Sequence, residues 1–344
     1  MTGPYAHFAE LLGSARNILV LTHDNPDPDT FAAGMAILRL AAVIVPRARV
    51  TLGYDGIIGR VENQAMVTLL RVPLVPYREL RRRRFDLTIL VDTQFGSGNN
   101  PLRERPSKLM VFDHHPPRRF REYDFSHLDE AAAATALLLV PYLDHFGIPL
   151  DRSLATALVY ALRTETLDLQ RDCNRMTEEV YVRCFRLASK KMLGRIEHAR
   201  HPPVYFQTLR YALGHTSRFS TVLVTRCDEA PNPEFIPEVC ELLLRCEGVR
   251  WVLAVGRYQG TLYLSIRTTS TRRSAGRVMK ALVHGVGSGG GHVQTAGGKI
   301  VLDPAIPEHY STIRDQLCQR FLGLLGKSGE RGVAFVDEAE SKPA

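Results

Sequence analysis

Short apolar segments alternate with amphipathic stretches through the first half of this 344-residue chain, and the alternation limits the folds that it can adopt. The apolar segments are rich in β-branched and aliphatic residues, as strands are, whereas the stretches between them have helical periodicity. The pattern predicts an α/β domain with a doubly wound, mainly parallel sheet and helices on both faces. The predicted strands are 17–22, 49–54, 85–92 and 108–112, and the predicted helices are 30–45, 59–70, 131–146, 153–163 and 178–193.

The length of the chain predicts two domains, because a single core seldom grows beyond about 250–300 residues. The adjacent prolines Pro202 and Pro203 interrupt regular structure and indicate a boundary between about residues 190 and 218. Strands at 221–227, 251–255, 262–267 and 300–302 and helices at 237–246, 274–286 and 307–325 predict a second, smaller α/β domain. We therefore expect a first domain over 1–190, a linker over 191–218, a second domain over 219–326 and a mobile tail over 327–344.

Composition restricts the cellular setting and the partners. The formal net charge is +8, which suggests an anionic partner. The densest basic run, Arg81–Arg84, is compatible with a solvated helix end and equally with phosphate steering. The six cysteines form no C-x-x-C pair and are expected to be reduced thiols. A start unlike a signal peptide, and no stretch of about 20 apolar residues, predict a cytoplasmic protein without a membrane span.

Three of the predicted strands end in carboxylate or imidazole side chains. His23, Asp27 and Asp29 lie in a proline-broken loop after the first strand, Asp92 ends another, and a third runs into Asp113–His115. The carboxyl ends of parallel strands meet at one edge of a sheet, where α/β proteins bind ligands. Helix capping by Asp24 or Asp29 would explain one acid but not the whole set.

Crowded carboxylates repel one another unless a divalent cation stabilises them in the ionised state. Mixed imidazole and carboxylate ligands without cysteine favour Mn²⁺ or Mg²⁺ over a structural zinc site. The number of ligands fits two cations, which together can activate a water for an in-line phosphoryl displacement. Asp92, at the end of a central strand, is the expected bridging ligand.

The segments His23–Asp29, Val91–Asp92 and Asp113–His115 resemble, in order and spacing, the first three motifs of the DHH phosphoesterase superfamily. That superfamily includes RecJ exonucleases, nano-RNases, cyclic dinucleotide phosphodiesterases and family II pyrophosphatases. The resemblance implies one Mn²⁺ held by His23, Asp27 and Asp92 and a second held by Asp29, Asp92 and His114. It also implies that His115 contacts substrate phosphate and that Asp113 supports the histidines from behind.

The fourth motif of the family normally ends in an aspartate after a helix. Here the corresponding residues 162–166 read Leu-Arg-Thr-Glu-Thr, so Glu165 stands in place of the aspartate. The extra methylene of glutamate displaces the carboxylate unless the backbone retreats. The resemblance implies that Glu165 is the last metal ligand, with Asp168 as its rival.

Glycine is concentrated between residues 285 and 298, and glycines let a backbone approach a ligand closely. A flexible connector is the alternative explanation. The run 289–298 resembles the Gly-Gly-Gly-His signature of the DHH-associated C-terminal domain, and the strand around Arg267 resembles that domain's Ser-x-Arg-Ser strand. The resemblance implies that the substrate-binding residues are Arg267, Gly289, Gly290, Gly291 and His292, with the arginine clamping a phosphate.

These observations predict a metal-dependent phosphoesterase that hydrolyses short oligoribonucleotides or small nucleotides, of the nano-RNase or 3′-phosphoadenosine-phosphatase type. Its expected cofactors are two divalent cations, Mn²⁺ first and Mg²⁺ or Co²⁺ as alternatives. Two other functions stay open, namely a cyclic dinucleotide phosphodiesterase and, because of Glu165, a nucleotide-binding sensor with weakened catalysis. The expected partner is short RNA or a small nucleotide, without a membrane or stable binding to long duplex DNA. A homodimer stays open.

Overall fold

The computed structural model describes residues 3–119, 122–171, 173–303 and 309–336. The chain divides into two compact units, Met1–Ala199 and Arg200–Ala344. None of the described helices has both the length and the apolar character needed to cross a membrane.

The first unit is an α/β unit. Its elements in chain order are α1 (Pro4–Gly13), β1 (Asn17–Asp24), α2 (Pro28–Ile44), β2 (Arg49–Asp55), α3 (Val61–Leu70), β3 (Leu74–Pro76), α4 (Tyr77–Leu80), β4 (Leu87–Val91), β5 (Leu109–Asp113), β6 (Phe125–Leu128), α5 (Thr135–His145), α6 (Arg152–Thr166), α7 (Arg175–Leu187) and α8 (Lys190–Glu197).

The six strands of the first unit form one sheet in the order β3-β2-β1-β4-β5-β6, and every neighbouring pair is parallel. Every residue of β4 and β5 is buried, as expected for strands covered on both faces. Residues such as Ile89 and Phe112 pack on one face with α1, α2, α5 and α6, whereas Leu90 and Val111 pack on the other with α4 and loop residues. The predicted α/β class with a mainly parallel sheet is confirmed.

The strand order places the edge at which a site is expected. The chain moves outward from β1 to β3 on one side, then returns to β4 and moves outward to β6 on the other. The crevice at such a change of direction, outside the carboxyl ends of the strands, is where open α/β sheets bind ligands. The ends of β1, β4 and β5, which carry the predicted ligands, are neighbours there.

The second unit also contains a sheet with helices. Its elements are α9 (Pro203–Gly214), β7 (Thr216–Phe219), β8 (Val222–Glu229), α10 (Phe235–Leu244), β9 (Trp251–Tyr258), β10 (Thr261–Thr268), α11 (Ala275–Leu282), β11 (Ser288–Gly291), β12 (Thr295–Val301), α12 (His309–Leu324) and β13 (Val333–Ala334).

The sheet of the second unit has seven strands in the order β11-β12-β10-β9-β8-β7-β13. Only β8 and β9 pair in parallel among these described strands, and the other neighbours are antiparallel. One face packs against α11 and α12, and the other packs against α9 and α10.

Three segments differ from the sequence-based description. The expected linker, 191–218, is largely helical, because Pro203 occupies the first turn of α9, where its missing N–H costs no hydrogen bond. In the expected tail, 327–344, Val333 and Ala334 pair with β7 as strand β13, while 337–344 lie outside the described residues. The single helix expected over 178–193 is the pair α7 and α8, because Ser189 caps a new helix by accepting a hydrogen bond from the Met192 N–H.

The glycine-rich segment is a β-hairpin rather than a loop. Strands β11 and β12 pair antiparallel, with Gly289 opposite Gly298. Helix α11 lies so close to this hairpin that a methyl group on Gly276 would be 2.2 Å from the carbonyl oxygen of Gly291, and one on Gly298 would be 2.6 Å from Sδ of Met279. Close packing of α11 therefore explains part of the glycine content without a ligand.

We expect Gly276→Ala to destabilise the second unit by about 1–3 kcal/mol, the usual range for overpacking, although alanine is the better helix former. The reason is that the backbone carbonyl of Gly291 cannot rotate away as a side chain could. Thermal or urea unfolding measures the effect. Gly297→Ala is the control, since the nearest atom to its added methyl group is 3.9 Å away. Equal stability of the two variants would contradict the packing explanation.

Candidate metal centre

The loop after β1 is held in place by its prolines and by a helix cap. Asp27 is the N-cap of α2, where its Oδ1 accepts a hydrogen bond from the Thr30 N–H at 3.1 Å, and Pro28 begins the helix. The capping residue is thus Asp27, not Asp24 or Asp29 as capping alone had suggested. The second oxygen of Asp27 lies 3.6 Å from Nε2 of His23.

Asp92 lies at the centre of the site. It follows β4 directly, is 4% exposed, and has a left-handed φ of 57° that turns the chain out of the strand. Its Oδ2 is 3.4 Å from Nε2 of His23, whereas its Oδ1 is 3.5 Å from Nε2 of His114 and 3.4 Å from Nδ1 of His115. One oxygen of the Asp92 carboxylate therefore faces His23, and the other faces His114 and His115.

Backbone carbonyls select the tautomer of two of the histidines. Nδ1 of His23 lies 2.8 Å from the carbonyl oxygen of Asp24, and Nδ1 of His114 lies 3.2 Å from that of Ala132. Because a carbonyl oxygen only accepts, each Nδ1 carries a proton, so Nε2 is the nitrogen that a cation can bind when the ring is neutral. Both Nε2 atoms point towards Asp92, so both rings are oriented as metal ligands are.

His115 differs from the other two histidines. Its Nδ1 donates to Oδ1 of Asp113 at 2.8 Å, and its backbone N–H donates to the same oxygen at 3.1 Å. Although burial lowers the pKa of His115, the hydrogen bonds with Asp113 and Asp92 raise it to about 11. His115 is therefore a cationic hydrogen-bond donor at neutral pH, which suits an anionic group better than a metal ion.

The other charged groups respond to the same crowding. Burial acts to lower the pKa of His23, but the carboxylates of Asp27 and Asp92 raise it well above its usual range. Burial acts to raise the pKa of Asp92, but the hydrogen bonds from His115 and His23 bring it well below its usual range. Asp92 is thus ionised at neutral pH.

Asp29, in the first turn of α2, is fully buried, and its carboxylate lies against the start of α5. Its Oδ2 accepts a hydrogen bond from the Thr135 N–H at 2.7 Å, and its Oδ1 accepts one from the Ala136 N–H at 2.8 Å. Burial, followed by the charges of Asp92 and Glu165, raises its pKa well above the usual range. Each carboxylate oxygen has two lone pairs, so these bonds leave Asp29 the capacity to bind a cation as well.

The Glu165 carboxyl, near the end of α6, is held close to the other acids. Burial, and then the charges of Asp27 and Asp92, raises the pKa of Glu165 to about 8. Its oxygens belong to neither of the two groups of closely spaced ligand atoms that the described residues contain and that are given below. Its rival Asp168 is 74% exposed, with Oδ1 3.7 Å from Nε of Arg163, and lies away from the cluster.

The described residues contain two groups whose ligand atoms all lie within 4.8 Å of one another, and both groups include Asp92. The nitrogen to oxygen distances of 3.4–3.6 Å in these groups exceed a good hydrogen bond. Two ligand atoms bound cis to one small cation at about 2.1 Å are ~3.0–3.4 Å apart. The donor atoms of His23, Asp27, Asp92 and His114 thus fit divalent cations after small adjustments, whereas Nδ1 of His115 donates to Asp113 and is not available to a cation. The first group is His23, Asp27 and Asp92, and the second is Asp92, His114 and His115.

Two polar residues of the site carried no sequence signal of their own. The Thr135 hydroxyl donates to Oδ1 of Asp92 at 2.8 Å. Gln94 is buried, donates to Oδ2 of Asp113 at 2.7 Å and accepts a hydrogen bond from the Arg118 N–H at 2.7 Å. The proximity of Gln94 to Asp92 in the sequence was the available hint, but only the structure shows that it joins the ends of β4 and β5.

Gln94→Glu tests whether this amide positions Asp113. The new carboxylate could not donate to Asp113 and would repel it, so we expect a loss of about 1–3 kcal/mol of stability at neutral pH. Burial and Asp113 would raise the pKa of the new carboxyl group above its unfolded value, so the lost stability should return as the pH falls. Unfolding at several pH values measures this. Gln170→Glu, at an exposed position, is the control. A deficit independent of pH would contradict the explanation.

The predicted substrate-binding residues of the second unit lie on and beside the hairpin. Nη2 of Arg267 is 2.9 Å from Oε1 of Glu241, and its Nη1 donates to Oγ of Ser265 at 2.9 Å, so the predicted phosphate clamp is already engaged in an ion pair. His292 is exposed at the hairpin turn. A methyl group added to Gly289 or Gly291 would clash with neighbouring atoms, whereas one added to Gly290 would meet only Cε of Lys280, at 3.7 Å.

Comparisons with known proteins agree with the fold and the motifs. An uncharacterized protein of Methanocaldococcus jannaschii, MJ1633, is 27% identical over 286 residues, which are 83% of this chain and 58% of that relative. An exopolyphosphatase-related protein from Bacteroides fragilis has the same fold, with a TM-score of 0.70 and 13% identity over 94% of this chain and 97% of the other. Residues 17–162 match the DHH family, N-terminal domain. The match covers most of the first unit, which is therefore similar in sequence to the DHH family, N-terminal domain.

Proposed function

We propose that this chain is a metal-dependent phosphoesterase that hydrolyses short oligoribonucleotides or small nucleotides, of the nano-RNase or 3′-phosphoadenosine-phosphatase type. The placement of Asp92 supports this most directly, because its two oxygens face His23 on one side and His114 on the other. A carboxylate shared in this way is what a pair of divalent cations requires.

The proposed cation sites follow from the donor atoms. One cation would be held by His23, Asp27 and Asp92. The second would be held by Asp92, His114 and Asp29, with Glu165 as its last ligand. A bound cation pair supplies an acidified water nucleophile and neutralises the charge of the phosphoryl group. The imidazole ligands favour Mn²⁺ over Mg²⁺, which prefers oxygen ligands alone.

The remaining residues of the site bind and orient the substrate. His115, protonated and held by Asp113, would donate a hydrogen bond to a phosphate oxygen. Gln94 keeps Asp113 in place through its own hydrogen bond, so the orientation of His115 depends on an amide that contacts no substrate.

The second unit would supply terminal phosphate or nucleotide recognition, as a DHH-associated domain. In favour of this proposal, the side of the hairpin at Gly290 and Gly297 carries no side chain and has space for a ligand. Gly297 is also the partner of Ser265 on β10, next to Arg267. A phosphate would have to share Arg267 with Glu241 or displace that carboxylate.

A hydrolysis panel under Mn²⁺ tests the proposed function. The substrates are the dinucleotide pApA, longer oligoribonucleotides, cyclic dinucleotides and 3′-phosphoadenosine phosphate, with metal-free protein as the control. We expect Mn²⁺-dependent release of mononucleotides from pApA, or of phosphate from 3′-phosphoadenosine phosphate. Preference for the cyclic compounds would assign the chain to the alternative class. No turnover of any substrate under Mn²⁺, Mg²⁺ or Co²⁺ would overturn the proposal.

One observation favours a second candidate, a nucleotide-binding sensor with weakened catalysis. Glu165 and Asp29 both lie outside the two groups of closely spaced ligand atoms, so two proposed ligands of the second cation are not in place among the described residues. A site with one competent cation could still bind a nucleotide phosphate while hydrolysing it slowly.

A further inference from the structure

Cationic side chains are concentrated at the amino ends of the strands of the first unit, at the edge opposite the candidate metal centre. Four strands that are neighbours in the sheet, β2, β1, β4 and β5, are each preceded by basic residues. Because the strands are parallel, these segments share one edge. We call this surface the basic edge, and it consists of Arg16, Arg47, Arg49, the run Arg81–Arg84, Arg103, Arg105 and Lys108.

Hydrogen bonds between the strand starts make the basic edge one continuous surface. The Arg49 N–H donates to the carbonyl oxygen of Arg16 at 2.7 Å. Oδ2 of Asp86, just before β4, accepts from the Arg16 N–H at 2.9 Å. Nζ of Lys108, just before β5, donates to Oγ of Ser14 at 2.8 Å, on the turn that leads into β1. The segments that carry these cations therefore lie side by side.

Most of this charge is not neutralised within the described part of the chain. Arg105 forms an ion pair with Asp124, its Nη2 2.8 Å from Oδ2. In the run Arg81–Arg84, by contrast, all four side chains are exposed and make no ion pair with any described residue. The one acid between that run and β4, Asp86, accepts backbone N–H groups instead of pairing with an arginine.

A cavity of about 160 Å³ opens beside the arginine run. Arg81 and Arg83 line it together with the half-buried aromatic rings of Tyr77 and Phe85 and the side chain of Leu102. Cations next to aromatic faces are the combination with which proteins hold a phosphate chain and stack its bases. The two features come together here at one end of one sheet.

We propose that the basic edge binds the phosphate backbone of single-stranded nucleic acid and that the cavity beside Arg81 and Arg83 takes up one of its bases. Four strands about 4.8 Å apart give a surface roughly 15 Å wide, enough for about four stacked nucleotides. A duplex fits less well, because its bases are paired and cannot enter a cavity. The proposal concerns the first unit alone and does not depend on hydrolysis.

The test is fluorescence anisotropy with a labelled single-stranded RNA of about twelve nucleotides, in EDTA so that no metal-dependent reaction occurs. The variant combines Arg81→Gln, Arg82→Gln, Arg83→Gln and Arg84→Gln. Its control removes the same charge from exposed positions of helices α6, α7 and α8, by Arg152→Gln, Arg186→Gln, Lys191→Gln and Arg195→Gln. We expect the first variant to bind at least about tenfold more weakly than the parent. The slope of its affinity against salt concentration should fall by the equivalent of about two phosphate contacts. The control should bind as the parent does.

Phe85→Leu gives a second readout that leaves the charge unchanged. Loss of one stacked base should weaken RNA binding by about fivefold or more, without a change in salt dependence. Metal-dependent turnover of a dinucleotide should be the same in the parent and the arginine variant. Equal weakening in the two charge variants would overturn the proposal, since it would show that net charge alone matters. So would binding to vesicles of anionic lipid in the absence of RNA binding.

Discussion

Asp92→Asn is expected to lower Mn²⁺-dependent hydrolysis by at least about a thousandfold, the scale on which a cation pair stabilises a phosphoryl transition state. Asp92 is the one residue that belongs to both groups of ligand atoms among the described residues. Asparagine keeps one oxygen and presents an NH₂ group either to His23 or to His114 and His115. Titration calorimetry of the variant should accordingly show fewer Mn²⁺ ions bound than in the parent.

The control for this variant is Asp168→Asn, which removes an exposed carboxylate that belongs to neither group. It should retain activity and Mn²⁺ stoichiometry close to those of the parent. If Asp92→Asn kept activity within about tenfold of the parent, the shared carboxylate would not be the centre of the reaction. Both variants should be shown to be folded by thermal unfolding, because Asp92 also accepts the Thr135 hydroxyl.

Substitutions of Glu165 are expected to have the next largest effect, and they separate the two candidate functions. In a working enzyme, Glu165→Gln should reduce activity by about tenfold or more, because a second-cation ligand is lost, whereas Glu165→Asp should give a modest change or a loss. A large gain of activity in Glu165→Asp, from a nearly silent parent, would instead support the sensor. Hydrolysis of the best substrate from the panel measures both.

Glu165 also predicts a pH dependence of the metal-free protein. Its pKa of about 8 lies above the ordinary value of 4.5, chiefly because of burial. The stability that it contributes is therefore fully present below about pH 4.5 and is lost as the pH rises through about 8. In EDTA, the melting temperature of the parent should therefore fall relative to that of Glu165→Gln as the pH rises over this interval. A constant difference would show that the carboxyl group is not held among the other acids.

The order of motifs along the chain was enough to predict where the ligands meet. Strands β4 and β5 are short runs that are apolar apart from Thr88 and lead into Asp92 and Asp113, so their burial and their polar ends could be predicted locally. Which nitrogen of each histidine faces the site could not be predicted in this way. It depends on the carbonyl groups of Asp24 and Ala132, and the second of these belongs to a distant loop.

Asp29 and the glycine-rich segment show where local patterns have more than one explanation. Asp29 was expected as a metal ligand, with capping of the nearby helix as the alternative, but its oxygens accept the first N–H groups of α5, more than 100 residues later in the chain. The glycines between 285 and 298 were expected as a substrate loop, but a helix packs against Gly298. Both contacts are long-range, and no spacing within the sequence carries them.

The sequence by itself determined the α/β class of the first unit, the strand ends that carry the acids and histidines, and the residue types of the candidate ligands. These features are set by residue type and short-range periodicity, which act within one strand or one helix. Tertiary structure decided that β4 lies between β1 and β5, and this order brings His23 and His114 to opposite oxygens of Asp92. It also gathered the basic segments at the other edge of the same sheet. Both results depend on strand pairing over many residues, which packing of the whole unit selects.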